Sequence, residues 1–363
     1  MLREPQYAQA RYGDEDPRMN QVSTGTPGEM LPPVENEPQR HRKGLTLGDY
    51  VEAFALIIAW VIVIVVFSIL APESFFRVQN FTTMMGTQTT LVILALAVLI
   101  PLIAGDYDLS LAANLMMSGM LVAVLNAEHG VPLALTILIA LGFGALLGFI
   151  NGLIIIVFDI NAFIVTLGTG TIVTGLVLWI SSSRTIGGVS EWLSDWVVVH
   201  RLFGLSVEFF YGLILCAILW YVFDFTAIGR RILFVGRGTN VARLSGIRVG
   251  RVRWGCFVAA GIIAAAGGVV YTGTAGAADP VSGGTFMLPA FAAAFLGSTA
   301  ITPGRFNPWG TYIAVYFLVT GVTGLAILGV QSWVQSVFYG AALVIAVSAS
   351  AFVKKRREAA AKL

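Results

Sequence analysis

Two aspartates, Asp106 and Asp108, stand in "PLIAGDYDLSLAANL" (Pro101–Leu115) between two long uncharged segments. Acids in such surroundings are costly to bury and are candidates for handling a solute, a cation or a proton. A pair of acids could also hold a magnesium diphosphate for intramembrane catalysis. That chemistry needs further acids and basic phosphate ligands in the same core, and the apolar part of the sequence offers no second acidic cluster. The plainer alternative is capping. A carboxylate at a helix start complements the positive end of the dipole, and Leu109-Ser110 is where a helix would begin. Pro101 and Gly105 break or kink the helix before it.

A neutral polar seam follows in "NGLIIIVFDINAFIVTLGTGTIVTG" (Asn151–Gly175), with Asn151, Asn161, Thr166 and Thr169 in or beside apolar helices. Such donors and acceptors suit an uncharged, hydroxylated solute that exchanges water for protein partners as it passes. The same groups also join helices to one another, the commoner role for any one of them. A third stretch, "TGTAGAADPVSGGTFMLPAF" (Thr272–Phe291), carries a lone acid, Asp279, among glycines and prolines. It predicts a turn or discontinuous helix near the outer half, buried in protein or lining a cavity. Cys216 and Cys256 lie in apolar segments without metal-ligand spacing and are read as packing residues. No metal site or cofactor is expected.

The elements that must position these groups are membrane helices. The chain has 363 residues, of which 12% are charged, against about 25% in soluble domains. Uncharged windows near 53–72, 82–105, 109–127, 131–158, 160–183, 209–223, 254–278 and 280–304 precede a long one at 306–353 that divides near Gly329. At roughly 20 residues per crossing they predict about ten spans in an all-α polytopic protein. The 209–223 window is short and the 280–304 window rich in glycine and proline, so both are candidates for irregular helices. Gly144, Gly148 and Gly152, with Ala264, Gly267 and Gly268, are spaced for close helix packing.

Residues 1–44 are rich in proline and charge and poor in aliphatics, a composition that predicts a disordered tail. They lack the short apolar core and cleavage site of a signal peptide. The membrane domain then covers 45–353, and 354–363 is a basic tail. Arg40, Arg42 and Lys43 before the first span, and Lys354 to Arg357 after the last, place both ends in the cytoplasm. Ten crossings also put the loop at 226–253 inside and the mixed-charge loop at 184–207, with the neighbouring Glu208, outside.

That inner loop contains "LFVGRGTNVARLSGIRVGRVR" (Leu233–Arg253), which has Arg237, Arg243, Arg248, Arg251 and Arg253 and no acid. Thr239 or Asn240 is placed to cap a short helix through "VARLS", and Gly246 to end it. A stiff stub of this kind suits docking by a soluble partner. The alternative is a positive loop lying on anionic lipid. The chain has no GxxxxGK[ST], and its lysines are Lys43, Lys354, Lys355 and Lys362, none after a glycine, so energy from ATP would come from another polypeptide. A weak internal duplication is also legible. "NGLIII" at 151 and "TGLAIL" at 323 each lead into a further span, and glycine-broken segments near 105 and 284 precede them.

Four motifs in order over residues 50–350 make the chain similar to the permease subunits of bacterial ATP-binding-cassette importers for simple sugars, the ribose, xylose, arabinose and galactose type. They are Gly105-Asp106-Tyr107-Asp108-Leu109-Ser110; Asn151-Gly152 with Asn161 to Thr169; Gly229-Arg230, Gly236, Asn240, Ala242 and Leu244-Ser245-Gly246-Ile247; and Ala292 to Gly297 with Trp309-Gly310. The resemblance implies a second permease copy, identical or not, a pair of ATP-binding subunits docking on the segment that includes Arg243, and an extracytoplasmic solute-binding protein. Asp106 stands where the family has a second glycine, and "SLAAN" (Ser110–Asn114) replaces a run containing valine. Both lie near the implied pathway, so the cargo is a monosaccharide or a polyol. A self-sufficient facilitator or ion-coupled carrier of a neutral solute is the second reading.

Overall fold

The structure, a computed structural model, describes residues 47–360. The tail expected at 1–44 and its basic residues lie outside them. Fourteen α-helices run in chain order: α1 Leu47–Leu70, α2 Val78–Thr87, α3 Thr89–Ala104, α4 Leu111–Ala123, α5 Leu133–Val157, α6 Ala162–Ile180, α7 Glu191–Ser194, α8 Val207–Phe225, α9 Ala227–Arg237, α10 Thr239–Leu244, α11 Val249–Ala275, α12 Gly284–Gly297, α13 Pro308–Ile327 and α14 Trp333–Ala360. A π-helical turn, Val124–Glu128, continues α4, and four two-residue strands form two small antiparallel pairs.

Eight of the helical segments are long and apolar enough to cross a bilayer, and α2 with α3, bent by 42°, makes a ninth. Helix α12, which the sequence counts as a further span, is a shorter apolar helix of 14 residues. The loop after it returns to the end of the bundle where α8 finishes and α1 starts, for Arg305 pairs with Asp224 at 2.8 Å and the Ile301 amide donates to the Ala53 carbonyl. Fourteen residues of helix rise only about 21 Å, so irregular chain must enter the bundle. Asn307 makes that possible. Its amide donates to the carbonyls of Gly297, Ala300 and Arg305, while its side-chain oxygen accepts from the Gly310 amide.

The centre is α3, every residue of which is buried, as expected for a helix apolar on all sides. It packs on α11, which in turn lies against α5. The small-residue expectation holds here. A Cβ at Gly144 would meet the Gly261 carbonyl, and one at Gly148 would meet that of Phe257. With no side chains between them, the two backbones touch directly. Cys216 and Cys256 are buried free thiols in this packing.

The two halves share one order of parts. Each of α3 and α11 ends on a left-handed glycine, Gly105 and Gly276. An aspartate then accepts from a nearby serine (Asp108 from Ser110, Asp279 from Ser282) before a short apolar helix, α4 or α12. The two turns lie at opposite ends of the bundle, in line with the weak duplication expected.

Several boundaries differ from expectation. The 209–223 window is a regular 19-residue α8. It gains its length from Val207 and Glu208, which were assigned to the preceding loop, and from Asp224 and Phe225 at its other end. The Glu208 carboxylate is buried and accepts from Ser206 and Thr274, which satisfies a charge that sequence alone would leave in water. Irregular chain around Asp279 is confined to 276–283, because α11 continues to Ala275 and α12 starts at Gly284. Helix α14 continues to Ala360, past the boundary expected at 353.

Candidate functional site

The basic segment folds into two helices and the start of a third. Thr226 opens α9 by accepting the Gly229 amide at 3.2 Å. Gly229 lies directly against the backbone of Val222 and Phe223, and Gly236 against the Ile103 carbonyl at the end of α3. A Cβ at either position would overlap backbone, so α9 is seated on α8 and α3 by its glycines.

The stub α10 follows. Its N-cap is Gly238, with no side-chain bond, so neither Thr239 nor Asn240 caps it as expected. Both already lie inside the helix, as its first and second residues. Its end is as expected. Gly246 has φ +79°, its amide donates to Arg243 and that of Ile247 to Ala242, the paired bonds that close a helix on a left-handed glycine. Ala242 is fully buried in a small core with Val235 and Val249. The opposite face presents Asn240, Arg243, Ser245 and an 89% exposed Leu244. Arg230 is exposed on α9, its guanidinium 3.4 Å from the Phe225 carbonyl.

The two aspartates of the α3–α4 break lie at this same end and do different things. Asp106 accepts two hydrogen bonds from Arg253, 2.8 Å from Nε and 2.7 Å from Nη2, in a mostly buried bidentate pair. It therefore fastens the break to the first turns of α11. Asp108, 1% exposed, accepts from the Ser110 amide at 3.0 Å and its hydroxyl at 2.6 Å. Asp108 thus stands two residues before Ser110, the N-cap of α4, and bonds that residue without capping the helix.

The neutral seam gathers around the same turn. Asn151 donates to the Ser110 hydroxyl at 2.8 Å. Thr166 accepts the Leu109 amide at 3.0 Å and donates to the Ala162 carbonyl. Asn114 donates to the Gly261 carbonyl and accepts from Ser118. Asn151, Thr166 and Asn114 are buried, and together they join α4 to α5, α6 and α11. Among the described residues, Oδ2 of Asp108 and Oδ1 of Asn151 have no partner. Asn161 is exposed and caps α6 by accepting from Phe163, and Thr169 donates to the Thr166 carbonyl. Asp279 is not part of this cluster. It sits beyond the far end of α11, about 40 Å of helix away, bonded to Thr185 and Ser282. The Ser282 hydroxyl above all holds its carboxyl below the usual range.

Two residues not singled out by sequence belong to this site. Arg253 reads there as one more base in a positive loop, and its partner is 147 residues away. Tyr107, between the two aspartates, is 45% exposed and stacks on Phe291 and Phe295 of α12, with centroids 6.4 Å away in each case. An exposed aromatic at a helix break was the available signal.

Comparison with known proteins shows what the whole chain is similar to. A family described as "Branched-chain amino acid transport system / permease component" matches residues 80–347. The D-allose transport system permease protein of Escherichia coli (strain K12) is 30% identical over 294 residues, 81% of this chain and 90% of that protein. The ribose import permease protein of Bacillus subtilis (strain 168) is 31% identical over 287 residues, 79% of this chain and 88% of that protein. The fructose import permease protein of Rhizobium meliloti is 26% identical, covering 82% of this chain and 85% of that protein. No solved structure matches the chain.

Proposed function

The chain belongs to the branched-chain amino acid transport system / permease component family, and from that premise we propose that it moves a monosaccharide or similar polyhydroxylated solute as the membrane subunit of an ATP-binding-cassette importer. It is a transport subunit of the bacterial inner membrane, not an enzyme. In this reading its partners are a pair of ATP-binding subunits, a second permease copy and an extracytoplasmic solute-binding protein. Both termini and the α9–α10 segment face the cytoplasm, in keeping with the arginines on that segment.

One observation carries the mechanical part. The stub α10 buries Ala242 and leaves Leu244 in the open among arginines. A protruding leucine on a rigid, glycine-closed helix is a shape for insertion into a partner's pocket. ATP-driven movement of that partner would reach α3 through α9, and the α3–α4 break through Arg253. Asp108, Asn114, Asn151 and Thr166 act in this scheme as the joint that holds four helices together while they move. The solute passes along the exposed flank that carries Tyr107 and α6, which the second copy completes. Its hydroxyls suit Tyr107, Asn161 and Thr169, and Asp279 lies at the outer entrance. The names of the relatives favour this reading over a facilitator that works alone.

The docking step has a direct test. Gly246→Pro removes the left-handed residue, because proline is held near φ −65°, and Arg243→Glu reverses charge beside Leu244. Both variants are expected to insert normally, to lose co-purification with the ATP-binding subunit and to abolish uptake. Normal uptake with undiminished association would remove the docking role.

A further inference from the structure

Helices α8 and α11 both pack on α3 and make little contact with each other. Between them is a half-open cleft of about 860 Å³ with Ile100 of α3 in its lining. Its walls are apolar, with Leu219 and Phe223 on one side and Ala259 and Ile263 on the other. Arg231, Arg248 and Arg251 also line it, all exposed. None of the three makes an ion pair among the described residues.

The dimensions are informative. From Arg248 to Ile263 the cleft follows α11 for roughly 22 Å, about the depth of one leaflet including its headgroups. Unpaired cations stand at one end, and beyond them the lining is apolar at bilayer depth. A soluble partner could meet the arginines but would leave the inner walls bare. We propose that this cleft binds one anionic phospholipid, with the phosphate among Arg231, Arg248 and Arg251 and an acyl chain lying along α11 towards Ile263. Ser245, Gly246 and Ile247 line the same cleft, so the lipid joins the base of the stub to the α8–α9 corner. This assignment goes beyond the transport reading and does not depend on which solute is carried.

The test is lipid binding to the purified, delipidated chain, followed by native mass spectrometry. The probes are phosphatidylglycerol and phosphatidylcholine of matched chain length, with inorganic phosphate as competitor. Phosphatidylglycerol is expected to bind selectively and to resist displacement by phosphate. Replacing Arg231, Arg248 and Arg251 together by Gln weakens it by about a hundredfold, at the usual contribution of each base near a lipid surface. Ala259→Phe fills the slot without touching the charge and also abolishes binding. Ile263→Trp does the same should the first variant unfold in phosphatidylcholine nanodiscs. Equal binding of the two lipids, displacement by phosphate alone, or retention in both slot-filling variants overturns the proposal. So does protection of the cleft only on adding the ATP-binding subunit or a second copy.

Discussion

Gly236→Val is expected to abolish solute uptake while leaving the chain inserted and its ATP-binding partner attached. A Cβ at this position overlaps the carbonyl oxygen of Ile103, and α3 cannot yield because it is buried along its whole length. Helix α9 must therefore lift away from the end of α3. Ala242 of α10 packs on Val235 of α9, so the stub moves with α9 and keeps its docking face. Overpacking at one contact costs about 1–3 kcal/mol, too little to unfold a bundle of this size. The measurement is uptake alongside co-purification and ATP hydrolysis, with at least a tenfold loss expected in the first alone. Gly238→Ala is the control two residues on. Its Cβ meets only the Val241 side chain at ordinary contact distance, 3.8 and 3.9 Å, and it retains uptake.

The second large effect concerns Asp106 and Arg253. Arg253→Ala leaves a carboxylate buried without its bidentate partner, and breaking such a pair costs about 3–5 kcal/mol. The double replacement Asp106→Gly with Arg253→Ala removes the charge and its partner together, and is expected to recover most of that stability. A double-mutant cycle on thermal unfolding in nanodiscs reads the coupling. Additive effects of the two single changes would show that the pair contributes little. The double variant is further expected to fold yet transport poorly, since the α3–α4 break is no longer fastened to α11.

Much of the architecture was legible because a bilayer leaves few choices. Backbone polar groups in lipid must be satisfied internally, so windows of uncharged residues become helices, eight or nine of them long and apolar enough to cross a bilayer. The glycines of α5 were readable for the same reason, since small residues at a period of four have little use on a lipid face. Gly246 was legible because a left-handed helix end strongly favours glycine. The N-terminus of α10 was not, because Thr239 and Asn240 have the right chemistry one and two residues too late and Gly238 takes the position.

Side-chain roles were harder to read. Asn114, Asn151 and Thr166 could equally line a path or join helices, and only their mutual bonds around Ser110 distinguish the two. The pairing of Asp106 with Arg253 depends on α3 and α11 being neighbours, which no local pattern encodes. Arg251 and Arg253 were read as part of a loop, whereas α11 already begins at Val249. That places them on a rigid helix and makes the grip on Asp106 geometrically firm.

Central to the transport reading is a pore that has no engine of its own. Its most direct test is flux into proteoliposomes that hold the purified chain, with and without its ATP-binding subunits and ATP, and with solute delivered by the binding protein. Accumulation is predicted only in the complete system, and it should be lost with Gly236→Val. Solute-specific flux through the chain alone, whether passive or driven by an ion gradient, would contradict it.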